Sequence, residues 1–217
     1  MRVLALDTAL ERCSAAVLDG DHVLASASEA MARGHQERLG PLVREVMADA
    51  GAAFSTLDRI GVTVGPGSFT GLRVGLAFAK GLGFALGRPV VGIGTLQALA
   101  ASVEGRRVAV VVDAKRGQLW MQVFADGQAV MAPDALEPEG ARARLAELAG
   151  GEAVTLVGSG APLVADVLPG ARIAEALAPD PVALARLAAV ASSTAPPRPL
   201  YLRAPDAKLP GGVSLTP

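Results

Sequence analysis

Apolar residues run without interruption from 3 to 6 and stop at Asp7. With no polar position to face water, such a run predicts a central strand covered on both sides. A second strand is predicted at about 12–18 and a third at 22–28, with Asp19-Gly20 between them. Asp-Gly between two apolar runs predicts a hairpin, because the turn needs positive φ and glycine supplies it. Leu39, Leu42, Val43, Val46, Met47 and Ala50 then recur at helical spacing, with Pro41 in the first turn or at a kink. A short strand at 60–64, a glycine loop and a helix from about 70 to 86 follow. A strand at 89–93 and a helix at 95–101 complete this half.

The pattern then begins again. Residues 108–112 are all apolar and end at Asp113. A strand at 118–124 leads to a second hairpin signal, Asp126-Gly127, with apolar residues at 129–131 beyond it. A helix at 141–149, a strand at 154–157 and the loop Gly158-Ser159-Gly160 come next, and a last helix is expected at 182–191. Asp7 and Asp19 lie 12 positions apart, Asp113 and Asp126 lie 13. The same order of elements in both halves points to an ancient duplication rather than a solenoid, whose repeats are far shorter. The expected architecture is α/β, with two mixed-sheet lobes facing each other across a cleft. It resembles the two-lobed fold of actin and sugar kinases, in which each lobe has a ribonuclease-H-like core. The polar stretch Glu104-Gly105-Arg106-Arg107 marks the expected boundary, giving lobes at 1–104 and 105–217, with a loosely ordered tail after about 203.

The most informative segment is Gly65-Pro66-Gly67-Ser68-Phe69-Thr70-Gly71-Leu72-Arg73-Val74-Gly75. It reads as a strand end, a tight turn and a helix start, with Ser68 or Thr70 as N-cap. Amides at a helix start can bind an anion, so Ser68, Thr70 and Arg73 are candidate phosphate contacts, as are Gly158 and Gly160 in the second loop. The spacing matches neither a P-loop nor a dinucleotide fingerprint, and a purely structural turn stays open. Within the helix, Gly71, Gly75, Ala79 and Gly83 recur every four residues. Each interior glycine costs roughly 0.5–1 kcal/mol against alanine, so a bare ridge implies close approach by another backbone. That backbone belongs to this chain or to a second one. The second possibility makes this helix and the one at 39–50 half of an intermolecular four-helix bundle.

Composition narrows the classes. Of 217 residues, 51% are hydrophobic and 19% charged, enough for a sizeable core and too little charge for disorder over most of the length. Twenty Lys and Arg against 21 Asp and Glu give a net charge of −1, without the basic surplus of a protein that grips nucleic acid unaided. One cysteine, Cys13, excludes an internal disulfide and reads as a small buried hydrophobe. With two histidines and one cysteine, a zinc site of the usual ligand types is not expected. The first apolar run is too short for a signal-peptide core and the 70–86 helix too short and charged for a comfortable membrane span, so a cytoplasmic location is expected.

These residues together resemble the bacterial TsaB (YeaZ-like) family, relatives of the peptidase-like glycoproteases within the actin-like ATPase superfamily. The matching stretches are LeuAlaLeuAspThr at 4–8, His35 with Leu39 and Pro41, and above all 65–75. Others are ProValValGlyIle at 89–93, ThrLeuGlnAlaLeuAla at 95–100, AspAlaLysArgGlyGlnLeuTrp at 113–120, GlySerGlyAla at 158–161 and TyrLeuArg at 201–203. The resemblance implies a non-catalytic dimerising subunit for threonylcarbamoyladenosine modification of tRNA. It implies pairing with a TsaD-like transferase through the first two helices, a TsaE-like ATPase as third component, a homodimer when alone, and indirect contact with tRNA. The implied interface is His35, Leu39, Leu42, Val46, Gly71, Leu72, Gly75, Ala79 and Gly83. The catalytic relatives hold a metal through two histidines with three residues between them, and here His35 is followed by Gln36, Glu37, Arg38 and Leu39. No catalytic residue, metal ligand or required cofactor is therefore expected, though ATP or ADP could lie in the cleft or at a partner interface. Asp113 reads as a turn cap, and Asp7 as either a turn cap or a phosphate-site group. A stand-alone phosphotransferase or metallopeptidase is the alternative reading.

Overall fold

The computed structural model describes residues 1–193 and 195–202. The expectation for the tail after about 203 lies outside them. The first half contains β1 (Arg2–Asp7), β2 (Arg12–Asp19), β3 (His22–Ala30), α1 (His35–Asp49), β4 (Arg59–Gly65), α2 (Phe69–Leu86), β5 (Val90–Gly94) and α3 (Thr95–Ala100). The second contains β6 (Arg107–Asp113), β7 (Leu119–Ala125), β8 (Gln128–Ala129), β9 (Asp134–Leu136), α4 (Pro138–Ala149), β10 (Val154–Val157), β11 (Arg172–Ala174) and α5 (Pro181–Val190). The sheet orders are β3-β2-β1-β4-β5 and, read from the matching end, β8-β7-β6-β10-β11, with β9 also on β7. Along each order the first two pairs are antiparallel and the next two parallel. The duplication is therefore one of topology as well as element order.

Both hairpins form where Asp-Gly predicts them. Asp19 pairs with His22 across Gly20 at φ 58°, and Ala125 pairs with Gln128 across Asp126 and Gly127 at φ 47° and 76°. In the second hairpin the two successive positive-φ residues match the twist of the flanking strands, and in the first the glycine alone supplies the positive φ.

The all-apolar runs are covered on both faces. Leu4, Leu6, Cys13, Ala15 and Val17 pack under α1 and α2, whereas Val3, Ala5, Ala16 and Leu18 pack against Leu184, Ala185 and Ala188 of α5. In the second sheet Ala109, Val111, Leu119 and Met121 meet α4, while Val108, Val110, Val112 and Phe124 meet Leu96 and Leu99 of α3. Burial pushes the Cys13 thiol up to about 11, as fits a packing residue.

The helices do not respect the expected boundary. α5 follows the second sheet in sequence yet covers the first, and the Arg59 guanidinium of β4 donates to the carbonyls of Ala188, Ala189 and Ala191 at its C-terminus (2.9, 3.1 and 2.6 Å). α3 precedes the boundary yet packs on the second sheet. The division at 104/105 separates the two sheets, while α3 and α5 cross it to cover the sheet of the other half. The cause is packing: each sheet has a second apolar face that the helices of its own half leave bare.

Candidate functional site: the α2 faces and the inter-lobe cleft

α2 begins at Ser68, whose hydroxyl accepts the Gly71 N–H at 3.3 Å, and ends at Gly87 in the left-handed conformation. Its 18 residues reach the length of a minimal membrane span, longer than the sequence reading allowed, but one side of the helix is packed on the chain's own sheet. That side is the Gly/Ala ridge. A Cβ on Gly71 would collide with the Thr8 carbonyl oxygen, one on Gly75 would lie 2.5 Å from Thr8 Oγ1, and one on Gly83 would collide with Val90. Ala79 and Leu72 are buried beside them. The Thr8 hydroxyl donates to the Gly71 carbonyl at 2.8 Å, stitching strand end to helix. The close backbone that the ridge demanded is the end of β1. Gly71, Leu72, Gly75, Ala79 and Gly83 are thus core positions, which corrects the expectation that they meet a partner.

The same correction applies on α1. Leu39, Leu42 and Val46 are fully buried in the first lobe. His35 starts α1 and its Nε2 lies 3.1 Å from the Arg12 carbonyl, so this nitrogen carries the proton and donates it. His35 also lines the cleft.

What α2 turns outward is a different line: Arg73, Ala77, Lys80 and Phe84 are all exposed, and Phe84 is 92% exposed. At about 100° per residue these four fall within roughly 60° of one another, opposite the glycines. Val74, Phe78 and Leu82 flank the line half-buried, and α1 lies alongside, with Gly40 against the Phe78 ring. Sequence reading passed over this line although the spacing i, i+4, i+7, i+11 was available, because it followed the glycines.

Between the lobes runs a cleft of about 960 Å³, lined from one side by residues including Leu10, Arg12, His35 and Ser68 and from the other by Asp113, Lys115 and Ser159. Phe69, Tyr201 and Trp120, the last two being the chain's sole Tyr and Trp, also line it. Asp7 and Asp113 end equivalent strands and each caps a turn: Asp7 Oδ1 accepts the Ala9 N–H at 3.0 Å, Asp113 Oδ1 the Lys115 N–H at 2.8 Å. Their surroundings then diverge. Asp113 is part-exposed on the cleft wall, and its own amide donates to Ser159 Oγ at 3.0 Å. Asp7 is fully buried and Oδ1 also accepts the Thr63 hydroxyl at 2.6 Å, while Oδ2 has no partner. Burial raises the Asp7 carboxyl above its ordinary value against the pull of those hydrogen bonds and of His35.

Asp7 is sealed because the Ser68 amide donates to the Ala9 carbonyl at 2.7 Å and Gly67 packs on the same oxygen. It does not face the cleft, which corrects its candidacy as a phosphate-site group. Gly158 and Gly160 fail for another reason: their amides donate to Ala176 and Val111 carbonyls at 3.2 and 2.9 Å, leaving no N–H for an anion. Of the candidate phosphate contacts, Ser68 lines the cleft but spends its hydroxyl on the helix cap, Thr70 is exposed in the first turn, and Arg73 lies on the outward line.

Two ribonuclease-H-like lobes on one chain define an actin-like α/β protein. The activator of 2-hydroxyisocaproyl-CoA dehydratase from Clostridium difficile shares this fold, with a TM-score of 0.52 over 87% of this chain and 94% of its own at 11% identity. A family profile described as TsaD, tRNA N6-adenosine threonylcarbamoyltransferase, matches residues 23–153. The Escherichia coli K12 tRNA threonylcarbamoyladenosine biosynthesis protein TsaB is 32% identical over 169 residues, 74% of this chain and 72% of its own. The structure of YeaZ from Pseudomonas aeruginosa superimposes with a TM-score of 0.80 at 30% identity, covering 93% of this chain and 99% of that one. The chain belongs to the TsaB family of YeaZ-like proteins.

Proposed function

We propose that this chain acts in threonylcarbamoyladenosine biosynthesis as a non-catalytic dimerising subunit. In this reading it works in the cytoplasm, scaffolding and activating a TsaD-like transferase together with a TsaE-like ATPase. Family membership supports the pathway. The docking role rests on one observation: α2 holds a phenylalanine at 92% exposure on a line that its own fold leaves uncovered. Covering such a ring is worth roughly 1.5–3 kcal/mol, and aromatic anchors of this kind dominate many interfaces. In the absence of the transferase the same face meets a second copy, giving a homodimer. The chain needs no cofactor of its own, ATP or ADP belonging to the assembly at the cleft or a partner interface. With a net charge of −1 it reaches tRNA through its partner.

The test is Phe84→Asp in a bacterial host whose own TsaB-type subunit is deleted. Wild-type chain should restore threonylcarbamoyladenosine in tRNA and co-purify with the transferase. The variant should do neither, while its urea midpoint stays within about 0.5 kcal/mol of wild type, as for other exposed sites. Co-purification and modification at wild-type levels with Phe84→Asp would refute docking through α2.

A further inference from the structure

We infer that Arg73 is a carboxylate receptor, taking an Asp or Glu side chain of the protein that docks on α2. This rests on the docking reading above and adds the chemistry of the partner. The guanidinium carbon sits 3.7 Å over the Phe69 ring. Nε donates to the Tyr201 hydroxyl at 3.4 Å, and the Tyr201 ring lies 5.3 Å from that of Phe69. Two aromatic groups far apart in sequence thus fix one exposed arginine at the start of the outward line. Its two terminal nitrogens carry four of its five N–H donors, and among the described residues they have neither a hydrogen bond nor an ion pair.

Three other arginines engage their forks within the chain, and among the described residues no other arginine is stacked on a ring. Arg38 spends its fork on Glu29 and Glu45, Arg107 on Glu152 and the Leu148 carbonyl, and Arg59 on the end of α5. A fork held flat by stacking and left unpaired is preorganised for a planar, two-oxygen anion, and little side-chain entropy remains to be lost on binding.

Charge complementarity selects a protein carboxylate. α2 contains Arg73 and Lys80 and no acidic residue, and both cations lie on the exposed line, about 10 Å apart along the helix axis. A surface that presents two cations around Ala77 and Phe84 fits an apolar partner face edged with acid. Phosphate backbones are recognised by broader basic fields, which a chain of net charge −1 lacks.

The test is titration of purified chain with the TsaD-type transferase by calorimetry at low and high salt. Arg73→Gln should weaken binding by about 10- to 100-fold at low salt, as for a charge pair cut at an interface, and should flatten the salt dependence. Arg73→Lys should not restore wild-type affinity, because an ammonium cannot make the planar two-point contact. Tyr201→Phe should weaken binding by a smaller factor. An unchanged Kd for Arg73→Gln, with Phe84→Asp still abolishing binding, would overturn the receptor and leave the docking face standing. Weakening by Arg73→Gln with no effect of Phe84→Asp would support the receptor and remove Phe84 as the anchor of the face. Two further results overturn the inference: loss confined to homodimerisation, which makes the occupant a second copy, and loss confined to tRNA binding, which makes the anion phosphate.

Discussion

Glycine substitutions along α2 should split by face. At Gly71 a methyl group would enter the space of the Thr8 carbonyl oxygen, a buried backbone atom directly after β1 that cannot swing aside. Overpacking of this kind costs about 1–3 kcal/mol, and shifting the strand end also threatens the hydrogen bond from Thr8 to the Gly71 carbonyl. At Gly75 the methyl meets Thr8 Oγ1 at 2.5 Å and Val62 at 3.5 Å; the buried hydroxyl can turn aside by giving up its bond to the Gly71 carbonyl, a smaller loss than moving backbone. At Gly81 nothing lies within 4 Å of the new atom and the residue is exposed, so alanine should stabilise by about 0.5–1 kcal/mol through helix propensity alone. The expected order of stability is Gly81→Ala above wild type, then Gly75→Ala, then Gly71→Ala. The span is about 2–4 kcal/mol, or about 1 M in urea midpoint for a slope of ~2–3 kcal/mol per molar. Urea melts of the purified chain, followed by far-UV circular dichroism and Trp120 fluorescence, measure it. A Gly71→Ala midpoint as high as that of Gly81→Ala would refute the claim that the ridge is packed against this chain. Because the ridge is internal, Gly75→Leu would damage the fold and would not report on partner binding.

Two other outcomes follow from buried groups. The folded Asp7 carboxyl holds its proton above the 3.8 at which the unfolded chain releases it, so its contribution to stability is full below that pH and lost as pH rises toward the folded value. Asp7→Asn keeps an acceptor oxygen for Ala9 and Thr63 and cannot ionise, so its stability relative to wild type should improve as pH is raised from 4 toward neutrality; parallel pH profiles of the urea midpoint would contradict this. Arg59→Ala should cost about 1.5–3 kcal/mol, the range for charge-assisted hydrogen bonds to a helix end, and should speed hydrogen exchange in α5 first. A midpoint within 0.5 kcal/mol of wild type would show that α5 needs no such cap.

Much of the fold was legible because both sheets bury two faces. Runs such as 3–6 and 108–112 carry no polar position, and Asp-Gly at each hairpin fixes the turn. The short β9 and β11 were missed, since three residues are too few for periodicity to register. The helix exchange was illegible for a different reason: the apolar stripe of α5 says that it must be covered and nothing about which sheet covers it. At the site, the glycine ridge correctly announced close backbone contact, but sequence alone cannot tell a neighbour in the same chain from one in another. Tyr201 and Phe69 meet across the chain, a juxtaposition no local pattern encodes.

The two halves part company after the equivalent strands β4 and β10, and that difference leaves an exposed helix line on the first half alone. Between β4 and β5 the chain forms the 18 residues of α2, whereas between β10 and β11 it forms two short 3₁₀ turns, Ala161–Leu163 and Ala165–Val167. Pro162 sits in the first of these turns, and Pro169-Gly170 follows the second before a helix could develop. The second sheet therefore has α4 and the turns on one face and α3 on the other, while the first has α1 and α2 on one face and α5 on the other. A helix pair lies over the first sheet alone. Its inward half is fixed by Thr8, Val62 and Val90, which leave no room for a side chain on the glycines. Its outward half makes no comparable demand on the fold, since Arg73, Ala77, Lys80 and Phe84 are exposed. If the proposed docking holds, stability and partner choice lie on opposite faces of one helix, and substitutions on one face should leave the other property largely untouched.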